Sequence, residues 1–511
     1  MVEKVKKAKK QVMKSPSAFV GLFVIIALMA ALTWVIPSGT YDMVDETRVP
    51  GSYQEVAKVT TEEVDGEEVT TDVRQGAWDV FVAPLQGMSE KLDVIIFVMV
   101  LGGFLGVVMK TGALDSMLGS LLVRMKGHEK WLIPILMTLF AIGGTTYGMQ
   151  EEAVAFYALV VPVMLAAGFN AMTAVMVIVL GGGIGVLGST INPFSTGIAA
   201  RTADMPLSDV FAIQTTVLIL GLLAAIVFTM RYATKVKDGY YKEDTTSQPS
   251  VKTTLDLKNI PEFTPARKVV MTVFALTFVL MILSLVPWGD FEVTFFADLH
   301  SWLLGLPVLG AILGVSHSLP FGEWYFNEIS ALFLISAVLT GLIYRKQFKK
   351  DNVEMVKTFL AGVVDLMPVA LIIAVATGVS VVMSGGAIQD TVIHWGEDLL
   401  KSANGGVVGV LAFIFYLPMT FLIPSSSGLA AATMPILAPI ADLVGVGKEL
   451  IVAAFATSSG LVNMMAPTIA SLMGGLALAG VSYRKWLVRT LPIMAVFTVI
   501  SVVVIAIFGM M

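Results

Sequence analysis

The sequence predicts an all-α polytopic membrane protein built from two inverted-topology repeats, each with a re-entrant hairpin and a broken helix. Three observations carry this: an apolar composition, a lysine and arginine distribution that separates two sides of a bilayer, and a chain order of motifs that recurs in both halves. By length alone, 511 residues would make about three or four soluble domains. Composition overrules length: 56% of residues are hydrophobic, only 14% are charged, and the mean hydropathy is +0.83. A soluble chain carries roughly 25% charge. Cysteine is absent, which excludes disulfides, cysteine-ligated metals and thiol catalysis. The net charge of −5 offers no basic footprint, so no nucleic-acid partner is expected.

A spanning helix needs about 20 mostly apolar residues. Such runs fall at 18–36, 94–109, 172–200, 210–230, 269–286, 329–344, 359–383, 450–478 and 490–508. Shorter apolar pieces fall at 131–142, 153–167, 407–423 and 429–440. The first run is too long for a signal-peptide core and is expected to be retained. Lys4, Lys6, Lys7, Lys9, Lys10 and Lys14 precede it, which predicts a cytoplasmic segment 1–17. The stretch 37–92 has twelve acids against Arg48, Lys58, Arg74 and Lys91, as suits an external loop. Later positive patches surround Arg124, Arg231, Arg267, Arg345 and Arg484. One topology places all of them inside if both pairs of short segments are re-entrant and 302–315 does not cross. The polar stretch 231–268 reads as a cytoplasmic linker.

The halves share an order of features. Val107-Val-Met-Lys-Thr-Gly-Ala-Leu114 matches Val381-Val-Met-Ser-Gly-Gly-Ala-Ile388, and each copy ends a helix ahead of an amphipathic segment, 114–124 or 388–400. A short apolar arm follows, then a polar tip: 143–152 in the first half, 424–428 in the second. After the return arm comes a long helix with a break, expected within 181–193 and 457–467. Backbone groups in hydrocarbon must be hydrogen-bonded, so polar breaks survive only around a protein-lined or hydrated cavity. Paired broken helices in inverted repeats converge on a substrate site near the midplane. The bland alternative is that the Gly and Ser residues only let helices pack closely.

Gly144-Thr-Thr-Tyr-Gly-Met-Gln-Glu-Glu152, Gly188-Ser-Thr-Ile-Asn-Pro-Phe194 and Pro424-Ser-Ser-Ser-Gly-Leu-Ala-Ala-Ala-Thr-Met-Pro435 resemble the YfcC family of membrane carriers. Ser15-Pro-Ser-Ala-Phe19 and Trp34-Val-Ile-Pro-Ser-Gly39 are also similar. That family is related to the anaerobic C4-dicarboxylate carriers of the ion transporter superfamily. The resemblance covers nearly the whole chain, apart from the acidic loop and the linker. It implies a multi-pass homodimer of the inner membrane whose mobile transport domain slides against a scaffold, an elevator movement. The scaffold would comprise 18–130 and 269–405. The transport elements would comprise 131–230 (hairpin 131–167, broken helix 172–200) and 406–511 (hairpin 406–440, broken helix 449–480). Some members of the family exchange arginine for ornithine, and others carry dicarboxylate names.

The resemblance also implies substrate contacts at the tips and breaks. In the first half these are Gly144, Thr145, Thr146, Tyr147, Gly148, Gln150, Glu151, Glu152, Ser189, Thr190 and Asn192. In the second they are Ser425, Ser426, Ser427, Gly428, Ser458, Ser459, Asn463 and Thr468. Glu151 and Glu152 are the sharpest clue to substrate charge, because intramembrane carboxylates are unfavourable by several kcal/mol unless paired or hydrated. They favour a cationic or zwitterionic substrate, with Asn192, Ser189 and Ser425–Ser427 holding its carboxylate. The alternative is that they cap the returning helix. On a helix, adjacent residues point about 100° apart, so one of the two is expected to face the site.

No cofactor is expected. A coupling ion, Na⁺ or H⁺, is a candidate, with Na⁺ near Gly188, Asn192 and Asn463. Arg201 with Asp204 reads as an interfacial salt bridge, Lys110 as a snorkelling residue, and Asp365 and Asp442 as weaker ion-coupling candidates. Gly183-Ile-Gly-Val-Leu-Gly188 fits a dinucleotide fingerprint but lacks the strand–turn–helix context. No phosphate-binding Gly-x-x-x-x-Gly-Lys-Ser/Thr occurs, so gradients or exchange must drive transport. His128, His300, His317 and His394 have no metal-ligand spacing. The expected function is a secondary active antiporter of basic amino acids, not an enzyme, with a Na⁺- or H⁺-coupled C4-dicarboxylate transporter as the alternative. A channel and an intramembrane hydrolase pairing Ser427 with His394 are remoter readings.

Overall fold

The computed structural model describes residues 18–45, 47–64, 67–241, 261–306, 308–403 and 405–510. The expected cytoplasmic segment 1–17 and the central part of the linker, 242–260, lie outside the described residues. In chain order the helices are α1 (Ala18–Val35), α2 (Ala77–Glu90), α3 (Leu92–Lys110), α4 (Ala113–Arg124), α5 (Leu132–Tyr147), α6 (Ala153–Ala166), α7 (Ala171–Leu187), α8 (Ile198–Thr202), α9 (Phe211–Lys237) and α10 (Pro265–Leu285). Then follow α11 (Phe295–Leu304), α12 (Leu309–Leu313), α13 (Phe326–Ile343), α14 (Arg345–Lys350), α15 (Met355–Gly385), α16 (Gln389–Lys401), α17 (Gly405–Leu422), α18 (Ser426–Leu443), α19 (Glu449–Asn463), α20 (Ala470–Ala479) and α21 (Tyr483–Phe508). Among the described residues, seven helices are long and apolar enough to cross a membrane. In the stretch 302–315 the helices α11 and α12 are too short to cross.

Such helices are apolar all round, so burial rather than polarity distinguishes their faces. On α1, Leu22, Ile26, Met29 and Thr33 are buried against neighbours, while Val20, Val24, Leu28 and Leu32 are exposed. In contrast, α19 is buried along its entire apolar length from Leu450 to Asn463, and α7 nearly so. These two lie at the centre of the protein. Their pairings, Gly460 against Leu187 and Gly183 against Met464, run antiparallel.

Two packing groups surround that centre. In one, α15 lies along α1, α2 and α3, and α13 packs on α3 and α10. The carbonyl of Gly362 occupies the place a side chain would take at Gly102, and the carbonyl of Gly102 does the same at Gly362, so α3 and α15 touch backbone to backbone. In the other group, α5 and α6 pack on α7, α17 and α18 pack on α19, and α9 and α21 close the outside. Gly144 and Gly185 allow an equally close approach of α5 to α7.

The stretch 37–92 is structured rather than a plain loop. It forms three two-stranded antiparallel ribbons, pairing β1 (Ser38–Thr40) with β4 (Gln54–Val56), β2 (Met43–Val44) with β3 (Thr47–Arg48), and β5 (Val59–Val64) with β6 (Glu67–Asp72). Their Val and Thr content suits a pleated ribbon. The all-α expectation therefore holds for the bundle and not for this stretch. Helix α2 also arises within it. Gln86, Gly87 and Ser89 interrupt its apolar run, but Gly87 seats it against Ala374 and Gly378 of α15.

Residues 38–53 are strapped onto α16. Tyr41 Oη donates to Glu397 Oε2 (2.7 Å), Arg48 Nε pairs with Asp390 Oδ1 (2.8 Å), and Thr391 Oγ1 donates to the Pro37 carbonyl (2.8 Å). The Tyr53 ring stacks on His394 at 4.0 Å.

Candidate functional site

The first polar tip forms because Gly148 takes φ +73°, a left-handed conformation that ends α5. The chain then turns through 149–152, where a Glu152 carboxylate oxygen accepts the Gln150 N–H (3.3 Å). Asn192 Oδ1 accepts the Phe194 N–H (2.9 Å) and caps the short π-turn Pro193–Gly197. In the second half, Ser425 Oγ accepts the Gly428 N–H (3.3 Å) at the start of α18. Ser426 Oγ lies 3.2 Å from Ser459 Oγ on α19.

Side chains bond backbone carbonyls freed at both breaks. In the first, Thr145 Oγ1 donates to the Gly188 carbonyl (2.8 Å), and Thr196 Oγ1 donates to that of Ser189 (2.9 Å). In the second, Trp486 Nε1 donates to the Met464 carbonyl (2.9 Å) and Tyr483 Oη to that of Met465 (2.7 Å). The first break falls inside the expected stretch 181–193, at its C-terminal end, and the second overlaps the expected 457–467 and runs two residues past it. Helix α7 continues through Gly181–Leu187 and opens at 188–192, while α19 runs to Asn463 and opens at 464–469. The glycines of 181–187 serve close helix packing, and polar side chains set where the ladder opens.

Tips and breaks meet at a cavity of ≈ 140 Å³. Its wall includes Gly148, Gln150, Glu151 and Glu152 from the first tip, Asn192, Phe194 and Ser195 from the first break, Ser425, Ser426 and Ser427 from the second tip, and Thr468, Ile469 and Ala470 from the second break. Lys91 and Val94 of the α2–α3 junction, Tyr325 and Phe326 at the start of α13, and Ile373, Ala376, Thr377 and Ser380 of α15 complete the wall. The caps of four helical segments, Glu152, Asn192, Ser425 and Ile469, line this one space. Helix N-termini present N–H groups with no partner inside the helix and carry partial positive charge. Ser195 Oγ and Thr468 Oγ1, both on the wall, are buried without a hydrogen-bond partner.

Both glutamates reach the cavity. The expectation that one would turn away rested on helical geometry, but α6 begins at Ala153, after the pair. Glu152 is 4% exposed and makes no side-chain cap bond to α6. Of the remaining expected contacts, Gly144, Thr145, Tyr147, Ser189, Thr190 and Ser458 are absent from the wall. Thr145 and Thr190 bond each other, the Ser189 and Thr196 hydroxyl oxygens lie 2.7 Å apart, Ser458 Oγ returns to the Ala454 carbonyl (2.7 Å), and Tyr147 is buried. Thr146 bonds the Ile142 carbonyl (2.6 Å), and Gly428 follows the second tip on α18. Ser459 touches the site only through Ser426.

Asn463 lines a separate pocket of ≈ 40 Å³ beside Gln150, Gly182 and Ser471, with both side-chain polar atoms unpartnered. Gly188, Asn192 and Asn463 are therefore not gathered in one space. Asp442 pairs with Lys448 (3.5 Å), Asp365 is exposed on α15, Lys110 ends α3, and none of them lines the cavity. His394 belongs to the strap on Tyr53 and Glu397, away from the wall that holds Ser427.

Sequence reasoning missed the rest of the wall. Lys91 counted there as one more loop cation, and Tyr325, Thr377 and Ser380 lie in or beside apolar runs with no local signature. The only signal for Lys91 was its position directly ahead of the apolar helix α3.

A polar, charged cavity between two broken helices, enclosed in a bundle of membrane-length helices, defines a membrane transport protein. The family is given by sequence: the chain belongs to the DcuC family, C4-dicarboxylate anaerobic carrier, whose model matches residues 15–509. An uncharacterized protein of Haemophilus influenzae is 29% identical over 96% of both chains. An Escherichia coli protein named "Putative basic amino acid antiporter YfcC" is 27% identical, over 96% of this chain and 95% of its own. Among solved structures, the Alcanivorax borkumensis YdaH transporter aligns at a TM-score of 0.44 and 14% identity, covering 96% of this chain and 98% of its own. MtrF of Neisseria gonorrhoeae aligns at 0.41 and 16%, covering 99% and 97%.

Proposed function

We propose that this carrier is a secondary active antiporter of basic amino acids. The observation that carries the reading is the charge of the cavity wall, whose charged side chains are Glu151, Glu152 and Lys91. With a cationic ligand holding both carboxylates ionised, two carboxylates and one ammonium give the wall one net negative charge in a low-dielectric site, where unit charges 4 Å apart interact by about 4 kcal/mol at an effective dielectric of 20. A substrate of net charge +1 completes the balance. The glutamates meet its cationic side chain, while Asn192, the Ser425–Ser427 hydroxyls and the converging helix N-termini hold its carboxylate. The likeness to the E. coli relative named as a basic amino acid antiporter supports the same class.

The antiparallel crossing of α7 and α19 supports an inverted-repeat origin for the two halves. The group around α15 then serves as scaffold and the group around α7 and α19 as the moving transport domain, in an elevator cycle carried out by a homodimer in the inner membrane. Asn463 and its small pocket are the candidate place for a coupling Na⁺.

A second reading, a Na⁺- or H⁺-coupled C4-dicarboxylate carrier, draws on the family description and on the four helix N-termini that favour anions. Counterflow separates the two. Proteoliposomes preloaded with ornithine, succinate or buffer receive labelled arginine and labelled succinate in turn. Arginine entry only against ornithine supports the antiporter. Succinate entry without arginine entry overturns it.

A further inference from the structure

We propose that Lys91 makes the carrier select basic amino acids over the diamines that lack their carboxylate. This rests on the antiporter reading and names the residue that sets its specificity. Lys91 is the one cationic side chain on the cavity wall, which it shares with Glu151 and Glu152, and its charge acts on Glu151. Its backbone is fixed from both sides: its N–H donates to the Gly87 carbonyl of α2 (3.1 Å), and its carbonyl accepts the Ile95 N–H of α3 (3.0 Å). Helix α2 is seated on α15 at Gly87, where an added Cβ would stand 2.7 Å from the Ala374 carbonyl and 3.0 Å from the Gly378 nitrogen. Lys91 therefore projects from a rigid junction. None of the ion pairs among the described residues includes it.

Lys91 is half-buried and close enough to Glu151 for their charges to interact, but it forms no salt bridge there, so its ammonium keeps donors for an anionic group of the ligand. Ornithine and putrescine differ by one carboxylate, so their net charges are +1 and +2. With Lys91 present, the wall is balanced by a net +1 ligand, and putrescine would bring an uncompensated positive charge close to Lys91. With Lys91 neutralised, the wall carries two negative charges and its complement becomes a dication. Selectivity thus comes from a repulsive element against the wrong ligand as much as from attraction to the right one. The plain alternative is that Lys91 only anchors the start of α3 at the membrane surface.

The test measures uptake of labelled ornithine and labelled putrescine into ornithine-loaded proteoliposomes for the wild type, Lys91→Met, Lys91→Gln and Lys91→Arg. The expected result is that the ornithine-to-putrescine ratio falls by about tenfold or more in Lys91→Met and Lys91→Gln, the effect of ~1.4 kcal/mol, with an absolute gain in putrescine uptake. Lys91→Arg keeps the wild-type ratio. A loss of both uptakes in equal proportion, or an unchanged ratio, overturns the proposal while leaving the antiporter reading intact. Thermal stabilisation of the purified wild type needs no variant: ornithine should raise the melting temperature and putrescine at equal concentration should not, whereas equal stabilisation overturns the proposal. Wild-type uptake of succinate alone removes the antiporter reading, and the role of Lys91 with it.

Discussion

Thr145 and Thr190 are joined through both side chain and backbone. Their hydroxyls lie 2.9 Å apart, and the Thr190 N–H donates to Thr145 Oγ1 (3.0 Å). The Thr145 hydroxyl spends its single proton on the Gly188 carbonyl (2.8 Å), so it accepts from Thr190. The end of α5 and the opening of α7 are one hydrogen-bonded unit, and the first tip cannot shift against the first break without opening it.

That unit sets the first prediction. Thr145→Val keeps the shape but leaves the Gly188 carbonyl and the Thr190 N–H buried without their partner, each a loss of about 1–3 kcal/mol. The variant should melt well below the wild type in detergent, and Thr145→Ser should recover most of the difference. Equal melting temperatures for Thr145→Val and the wild type would show that the network does not hold the site.

The glutamates set the second. Because both line the cavity, Glu151→Gln and Glu152→Gln should each lower kcat/KM for basic amino acid exchange by about tenfold or more, the effect of one charge contact worth ~1.4 kcal/mol. Concentration-dependent uptake measures this. Wild-type kinetics in either variant would take that carboxylate out of the substrate contact.

Gly148 sets the third. At φ +73°, a β-carbon is disfavoured by roughly 1–2 kcal/mol, and here it would also stand 2.5 Å from Asn192 Oδ1. Gly148→Ala should displace Asn192 and reduce both stability and transport. Counterflow and thermal melting of one preparation check both effects, and normal transport would show that the position of Asn192 is immaterial.

The strap sets the fourth, through pH. Burial pushes the Glu397 carboxyl upward, but hydrogen bonds from Lys401, Tyr41 and His394 outweigh it and hold the group below its ordinary value of 4.5. A carboxyl depressed in the folded state adds stability above its unfolded value, and that stability is lost as pH falls through the folded one. Tyr41, whose phenol burial and Glu397 push upward, remains a protonated donor throughout. Glu397→Gln should therefore lower the melting temperature clearly at pH 7 and progressively less below pH 4.5. A gap of constant size across that range would mean that Glu397 acts by packing alone.

The sequence made the bundle legible because spanning helices are long and uniformly apolar, and because the Val107 and Val381 motifs mark the same turn twice. It placed both tips, since Gly148 and Ser425 are residues that end or start helices by their own chemistry. The breaks were read as whole stretches, 181–193 and 457–467, of which only the later parts open. In water, Gly181–Leu187 would be a poor helix, but inside this bundle its glycines admit α5 and the ladder continues until Gly188. The rest of the wall was illegible for a different reason: Lys91, Tyr325 and Thr377 come from a helix junction, a helix start and a helix interior far apart in the chain, and only packing brings them to one cavity. Helix α2 was hidden by its own Gln86, Gly87 and Ser89, residues that matter through their contact with α15.

The strap also governs how the chain can be made. Arg48 and Tyr41 find their partners 342 and 356 positions later, at Asp390 and Glu397. During synthesis at roughly 5–20 residues per second, that separation leaves the ribbon segment without its dock for many seconds. A fragment released before residue 386 would carry residues 38–53 without any of these partners. Protease sensitivity of that segment is thus a clock for biogenesis, turning from cut to protected only when the second half has been threaded and folded.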